Sequence, residues 1–106
     1  MYIGADYYPE HVPPDQWEKD ASLMERAGFN VTRLAEFAWI FMEPDEGRFA
    51  FTWLDEAIGT LGRHGIKVIL GTPTAAMPAW LAKKHPECLA VDKSGRRSIL
   101  IFCAYS

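Results

Sequence analysis

The chain has 106 residues, of which 49% are hydrophobic and 24% are charged, and its formal net charge is −3. A chain of this length is one small domain or part of a larger one. The acidic balance argues against a nucleic-acid-binding protein, and no apolar run approaches the roughly 20 residues of a membrane helix. Two cysteines, Cys88 and Cys103, cannot form a disulfide framework, and the N-terminus lacks a signal-peptide pattern. We therefore expect a globular, cytoplasmic protein.

Strands and helices alternate along the predicted chain. A short apolar run at residues 1–5 predicts a buried first strand, which is followed by a turn-rich stretch. The first helix is predicted at residues 15–28, where Asp15 and Glu18 have the spacing of a capping box and Gly28 suits the C-terminal end. Its apolar face is formed by Trp17, Ala21, Met24 and Ala27.

The second half of the pattern repeats the first. Residues 29–35 predict a second strand, and residues 36–51, which contain Pro44 and Gly47, predict an irregular stretch. A second helix is predicted at residues 52–65, with Thr52 as its cap and Gly65 at its end. Its apolar face is formed by Leu54, Ala57, Ile58 and Leu61.

The third unit contains a strand and a short helix. Residues 66–71 are apolar almost throughout, which is typical of a parallel strand that is covered on both faces. A short helix is predicted at residues 79–85, and the basic stretch at residues 92–97 predicts a solvated turn. The junctions "ERAGFNV" and "GRHGIKV" resemble each other and indicate a weakly repeated strand–helix unit.

This alternation predicts an α/β fold with a parallel sheet. Three parallel strands cannot bury both faces of a sheet, and a complete (β/α)8 barrel needs about 250 residues. We therefore expect residues 1–106 to form about three β/α units, the N-terminal part of a TIM barrel that is truncated before its fourth strand. A self-contained three-layer α/β domain is the alternative.

Arg33 lies among apolar residues near the end of the second predicted strand. An unpaired buried charge is costly, so this side chain needs a partner or a wet cavity. Active sites of barrels form at the carboxyl ends of the strands. Polar side chains follow each predicted strand, namely Asp6 and Glu10, then Glu36, then Thr72 and Thr74. Aromatic residues accompany them, namely Tyr7, Tyr8, Trp39 and Trp80.

Carboxylates, an arginine and aromatic faces at one rim suit a sugar, whose C–H faces stack while its hydroxyls take hydrogen bonds. The alternative is structural: Arg33 pairs with Glu36 or Asp6 and the aromatic residues pack in the core. The three histidines are scattered, and we assign none of them to a metal site.

Four blocks of the sequence resemble glycoside hydrolase family 42 β-galactosidases. They are "YYPEH" at 7–11, "RLAEFAW" at 33–39, "MEPDEGRFAFTWLDEAI" at 42–58 and "GIKVILGTPTAAMPAWL" at 65–81. The resemblance implies a TIM barrel, retaining hydrolysis of terminal non-reducing β-D-galactosides in carbohydrate metabolism, and often a homotrimer. No cofactor is required, although a structural zinc is implied in some full-length members.

The resemblance also implies roles for particular residues. Arg33 contacts the galactose, and Tyr7, Glu36 and Trp39 support it at the rim, with Glu36 orienting Arg33. Both catalytic glutamates belong to the fourth and seventh strands, beyond Ser106, so no residue of this chain is assigned a catalytic role and the 106-residue chain alone is expected to be inactive. Cys103 corresponds to a zinc-binding cysteine of some members, although the segment around it is shorter and more apolar than the family pattern.

Two further functions remain open from the sequence. The chain could be a non-catalytic carbohydrate-binding or decayed α/β domain, in which the same rim residues bind sugar without cleaving it. It could also be an interaction module in which Arg33 and Glu36 only stabilise the fold. Binding of galactose by the chain would separate the first of these from the second.

Overall fold

The computed structural model describes residues 1–91 and 93–98. The chain divides into two compact units. The first, which we call the sheet unit, contains Met1–Ala35 and Phe51–Gly71. The second, the loop unit, contains Glu36–Ala50 and the described residues from Thr72 onward. Each segment of the loop unit therefore follows a strand of the sheet unit along the chain.

The sheet unit contains three parallel strands in the order β1-β2-β3. They are β1 (Gly4–Asp6), β2 (Val31–Leu34) and β3 (Lys67–Leu70). Register aligns Asp6 with Arg33 and Arg33 with Ile69. The predicted parallel sheet is thus confirmed.

Four α-helices accompany the strands in the described residues. They are α1 (Trp17–Arg26), α2 (Trp39–Met42), α3 (Thr52–Arg63) and α4 (Ala79–Lys84). In the sheet unit α1 packs against α3, and α3 packs against β3. The buried residues include Thr32 and Leu34 of β2 with Ala21, Ala57 and Leu61 of the helices. The core therefore lies on the side of β2 that carries Thr32 and Leu34. Each fully buried leucine there stabilises the fold by about 1.5–3 kcal/mol.

Both long helices end at the predicted glycines. Gly28 has φ +87, and the N–H of Phe29 donates to the Met24 carbonyl at 2.9 Å. Gly65 has φ +72, and the N–H of Ile66 donates to the Leu61 carbonyl at 3.0 Å. Glycine adopts this left-handed conformation without steric cost, which explains why the helices end there.

The predicted N-terminal caps are wrong. A 3₁₀ turn at Pro14–Gln16 precedes α1, and no side chain caps the helix. Pro14 starts this turn, so Asp15 lies inside the turn and not at the cap position. Phe51 occupies the cap position of α3, and its carbonyl accepts the Asp55 N–H at 2.9 Å. Thr52 is therefore the first residue of α3, one position too late to cap it.

The predicted burial of the outer strands is also wrong. All three residues of β1 are exposed, and Ile69 and Leu70 of β3 are each 56% exposed. Among the described residues of the sheet unit, the helices cover one face of the sheet, and both outer strands pair with β2 alone. The apolar sequence of residues 66–71 therefore predicted the strand β3 correctly, but it did not predict whether other elements cover both faces of that strand.

The loop unit contains the short helices and a small ribbon. The one-turn helix α2 lies in the stretch that we predicted to be irregular, where the N–H of Met42 donates to the Ala38 carbonyl at 3.0 Å. Helix α4 agrees with the prediction. Strands β4 (Ala90–Val91) and β5 (Arg97–Ser98) pair in antiparallel fashion around a turn at residues 93–95. No helix in the part of the chain that the structure describes is long and apolar enough to cross a bilayer.

Candidate functional site

Arg33 is exposed on the face of the sheet that the helices leave open. Side chains alternate along a strand, so the burial of Thr32 and Leu34 against the helices turns Val31 and Arg33 to the opposite face. A groove of about 270 Å³ runs over this face and is lined by residues that include Gly4, Asp6, Val31, Arg33 and Ile69. Arg33 therefore projects into an open groove, the kind of surroundings that the sequence analysis offered as the alternative to a structural pair.

Register places Asp6 on one side of Arg33 and Ile69 on the other. Aligned residues on neighbouring strands share a face of the sheet. The groove therefore combines a carboxylate, a guanidinium and an apolar side chain at the carboxyl ends of three parallel strands. Gly4 is needed at its position, because a Cβ there would collide with the Val31 carbonyl oxygen.

Ala35 ends β2 in an unusual backbone conformation. Its φ is +76, and its side chain is only 1% exposed. A non-glycine residue in this left-handed region costs roughly 1–2 kcal/mol, and such strain clusters at functional positions. The sequence carries no signal for this feature, because alanine is common in strands and helices alike.

Tyr7, a predicted rim residue, is bonded to helix α1. Its hydroxyl donates to Asp20 Oδ2 at 2.6 Å, and Gln16 Nε2 donates to Asp20 Oδ1 at 3.2 Å. Burial, the hydrogen bond to Asp20 and the charges of Asp20 and Glu10 raise the pKa of the Tyr7 phenol well above its usual value. The phenol therefore stays neutral and ties the stretch after β1 to the helix, while Asp20 is a partner that sequence reasoning missed.

Glu10 is enclosed by the protein. Its side chain is 1% exposed, and neither carboxylate oxygen has a hydrogen-bond partner among the described residues. His11 Nε2 lies 4.0 Å from Glu10 Oε1. The indole N–H of Trp17 donates to the Pro9 carbonyl at 3.0 Å and fixes the adjoining turn. The Glu10 side chain is therefore not accessible to a sugar from the solvent.

In the loop unit, Trp39 and Trp80 both donate to Glu43. Trp39 Nε1 donates to Glu43 Oε1 at 2.9 Å, and Trp80 Nε1 donates to the Glu43 carbonyl oxygen at 2.8 Å. The N–H of Gly47 donates to Glu43 Oε2 at 2.9 Å. The hydrogen bonds from Trp39 and Gly47 lower the pKa of the Glu43 carboxyl. The carboxylate thus ties residues within the segment after β2, while the Glu43 main-chain oxygen joins that segment to the segment after β3 through Trp80.

A second pair of contacts joins the same two segments. Glu46 Oε1 lies 3.0 Å from His85 Nε2, and Glu46 Oε2 lies 3.9 Å from Lys84 Nζ. The hydrogen bond to Glu46 raises the pKa of His85, with smaller contributions from the charges of Glu46 and Glu87. Glu36, also predicted at the rim, is half-buried in this unit.

The predicted site residues thus fall into separate parts of the chain. Arg33 and Asp6 share the groove of the sheet unit, Tyr7 is bonded to α1, and Trp39 belongs to the loop unit with Glu36. Cys103 lies outside the described residues, so its zinc role stays a prediction. Within residues 1–91 and 93–98, no three His, Cys, Asp or Glu side chains are grouped to hold a metal ion.

Comparison with known proteins decides the family. The family model for glycoside hydrolase family 42, described as beta-galactosidase, matches residues 6–101. The chain belongs to glycoside hydrolase family 42. A beta-galactosidase from Thermus thermophilus is 53% identical over 95 residues, which are 90% of this chain and 15% of that protein.

Solved structures of family 42 enzymes share the fold of this chain. The beta-galactosidase from the psychrophilic Marinomonas ef1 is 47% identical, with a TM-score of 0.86 over 92% of this chain and 15% of that one. Gan42B, a family 42 beta-galactosidase from G. stearothermophilus, was solved as a catalytic mutant in which alanine replaces a glutamate. It is 39% identical, with a TM-score of 0.86 over 93% of this chain and 15% of that one. The chain therefore matches the N-terminal part of family 42 structures, and it spans about one seventh of the length of these relatives.

Two contacts show what the family 42 motifs do within this fold. The "RLAEFAW" block places Arg33 on the open face and Trp39 four residues before Glu43, the spacing of neighbours on one side of a helix. That spacing could have predicted the Trp39–Glu43 bond. No local signal predicted the bond from Trp80, which lies 37 residues from Glu43.

Proposed function

We propose that this chain supplies the first three β/α units of a β-galactosidase that hydrolyses terminal non-reducing β-D-galactosides with retention of configuration. The carrying observation is the family 42 match over residues 6–101 on three parallel strands. Barrel enzymes place their chemistry at the carboxyl ends of such strands. In this chain that end carries the open groove with Arg33 and Asp6.

Arg33 is the residue that we propose to contact the galactose. A guanidinium donates several hydrogen bonds in fixed directions, which suits the hydroxyl oxygens of a sugar ring. Exposure in the groove supports this role, and the aligned Asp6 carboxylate can hold the guanidinium in place. We propose supporting positions for Tyr7, Glu36 and Trp39, of which Tyr7 acts by fixing the stretch after β1 to Asp20.

Retaining hydrolysis needs two carboxyl groups about 5–5.5 Å apart, one to protonate the leaving oxygen and one to attack the anomeric carbon. We assign neither role to this chain. Glu10 is enclosed among the described residues and has no aligned carboxylate partner to form such a pair, so we do not propose it as a nucleophile. The catalytic change in Gan42B is at a glutamate, and we propose that both glutamates lie outside these 106 residues.

A hybrid enzyme tests the proposal. In it, this chain replaces the 95 matched residues of the Thermus thermophilus relative, and hydrolysis of 4-nitrophenyl β-D-galactoside is measured. We expect the hybrid to hydrolyse the substrate and the 106-residue chain alone to be inactive. A folded hybrid that binds galactose without hydrolysis would favour the non-catalytic alternative, and turnover by the chain alone would contradict the missing catalytic pair.

The finer expectations extend the same proposal. We place the enzyme in carbohydrate metabolism in the cytoplasm, with a β-galactoside as its partner and with no nucleic acid or membrane partner; the net charge of −3 supports the absence of nucleic acid. A homotrimer and a structural zinc bound through Cys103 rest on the family resemblance alone. Sedimentation and zinc analysis of the hybrid test both.

A further inference from the structure

One residue of the loop unit, Glu43, fixes two tryptophans from different segments. Its carboxylate accepts the Trp39 indole N–H at 2.9 Å, and its main-chain oxygen accepts the Trp80 indole N–H at 2.8 Å. The second carboxylate oxygen accepts the N–H of Gly47 at 2.9 Å, so both oxygens are occupied. Glu43 therefore sets the positions of both indole rings at once.

The hydrogen bonds determine what the two rings can offer. Both side chains are half-buried and their N–H groups are already bonded, so their remaining exposed surface is ring carbon. The ammonium of Lys84 lies 5.9 Å from the centroid of the Trp80 ring, and it also lies 3.9 Å from Glu46. Aromatic carbon beside charged donors and acceptors is the composition of a saccharide site, in which ring faces stack and polar groups bind hydroxyls.

A purely structural tryptophan in this chain looks different. Trp17 is 6% exposed, and its indole N–H donates to the main-chain oxygen of Pro9 in the turn Pro9–His11. Trp39 and Trp80 are only half-buried and retain exposed ring surface, and both donate to Glu43, Trp39 to its carboxylate and Trp80 to its main-chain oxygen. Trp17 is therefore an internal reference for a tryptophan that only packs.

We propose that Trp39 and Trp80 form a platform for a pyranose ring of the saccharide substrate and that Glu43 is the positioning residue that holds the platform. The choice of a saccharide rests on the proposed function. The platform is contributed by the segments after β2 and β3, which in a barrel shape the subsites around the strand ends. The loop unit is thereby assigned a saccharide contact of its own.

Indole N–H signals in NMR spectra of the 106-residue chain test the platform directly. Substitution of each tryptophan by phenylalanine assigns the signals. Titration with lactose should shift the Trp39 and Trp80 signals with a Kd on the order of millimolar, while the Trp17 signal stays constant. Glucose and galactose added separately show which ring binds, and a response to either one supports the platform. Lactose that shifts neither signal, or that shifts Trp17 equally, overturns it.

A matched pair of variants tests the role of Glu43. Glutamine retains one acceptor oxygen and cannot accept from both Trp39 and Gly47, so Glu43→Gln should weaken lactose binding by about three- to tenfold. Glu56→Gln makes the same change at an exposed position of α3, in the sheet unit, and should leave binding unchanged. Equal weakening in both variants, or none in Glu43→Gln, would overturn the positioning role.

The lactose titration and the hybrid enzyme test the two proposals independently, so one proposal can be contradicted while the other is supported. If the hybrid hydrolyses the galactoside but lactose shifts neither the Trp39 nor the Trp80 signal, the proposed function is supported and the platform is contradicted. An inactive, folded hybrid with responding tryptophans removes the catalytic proposal and keeps the platform as a saccharide-binding surface.

Discussion

At the scale of single residues, the open groove gives Arg33 two competing roles. Asp6 is aligned with it on the neighbouring strand, so a structural pair is possible, yet both side chains are exposed. Exposed ion pairs contribute little to stability, typically below about 1 kcal/mol. Arg33 lies at the carboxyl end of its strand, where barrel enzymes bind their substrates, and this position favours a ligand role.

Substitution of Arg33 in the hybrid enzyme separates these roles. Loss of a charge-assisted hydrogen bond costs about 2–3 kcal/mol, so Arg33→Ala should lower kcat/KM by about 30- to 150-fold. Its melting temperature should change little, because the side chain is exposed. Arg26→Ala, at an exposed arginine of α1, is the control and should leave both values unchanged. An Arg33→Ala enzyme with normal kcat/KM but a lowered melting temperature would establish the structural role.

At the scale of elements, helices α1 and α3 are joined by a cluster of charges. His64 Nε2 lies 2.6 Å from Glu18 Oε1, and its Nδ1 lies 3.0 Å from Glu25 Oε1. Arg63 also contacts Glu18 at 3.3 Å. Hydrogen bonds to Glu25 and then Glu18 raise the pKa of His64, whereas the hydrogen bond from His64 lowers the pKa of Glu18. The helix pair is therefore stabilised by the charged forms of both partners.

The stability of the helix pair should consequently depend on pH. A raised histidine pKa gives stability that is complete below the unfolded value of 6.5 and is lost as the pH rises through the folded pKa. A lowered glutamate pKa gives stability that is present above 4.5 and is lost as the pH falls through the folded pKa. His64→Gln should therefore lower the melting temperature most between these two values and least in alkaline buffer. A difference from the wild type that is constant with pH would show that His64 stabilises by packing alone.

Patterns of near neighbours predicted most of these elements. The buried residues Trp17 and Ala21 of α1, the buried face of α3 and the glycines that end both helices follow from spacing within one or two turns. Ala27, which we predicted on the apolar face of α1, is instead exposed just beyond the helix end. The starts of the helices did not follow, because Pro14 and Phe51 shift the first turn in a way that the capping motifs do not encode.

The candidate site was predicted less completely, for a physical reason. The sequence placed Arg33 at the end of a strand, but Tyr7 is bonded to Asp20 and Trp80 to Glu43 through contacts that only the folded chain creates. The left-handed Ala35 is likewise imposed by its surroundings, since alanine does not favour that conformation by itself.

At the scale of the whole molecule, the open face of the sheet governs solution behaviour. Ile69 is 56% exposed on this face, and in the described part of the chain β1 and β3 each pair only with β2. Unpaired strand edges beside apolar side chains are templates for association with another chain. In a closed barrel both edges and this face would be covered by further β/α units.

We therefore expect the 106-residue chain to associate as its concentration rises, as measured by sedimentation velocity. Ile69→Thr should reduce this association, because it makes the open face more polar without entering the core. Val68→Thr is the matched control, because the side chain of Val68 lies next to Ile69 in the strand but faces the helices. In this variant association should persist, while the free energy of unfolding should fall by about 1–2 kcal/mol. A chain that stays monomeric at every concentration would contradict the prediction. If instead both variants reduce association equally, the contact is not made by the face that carries Arg33, and that face remains available to substrate.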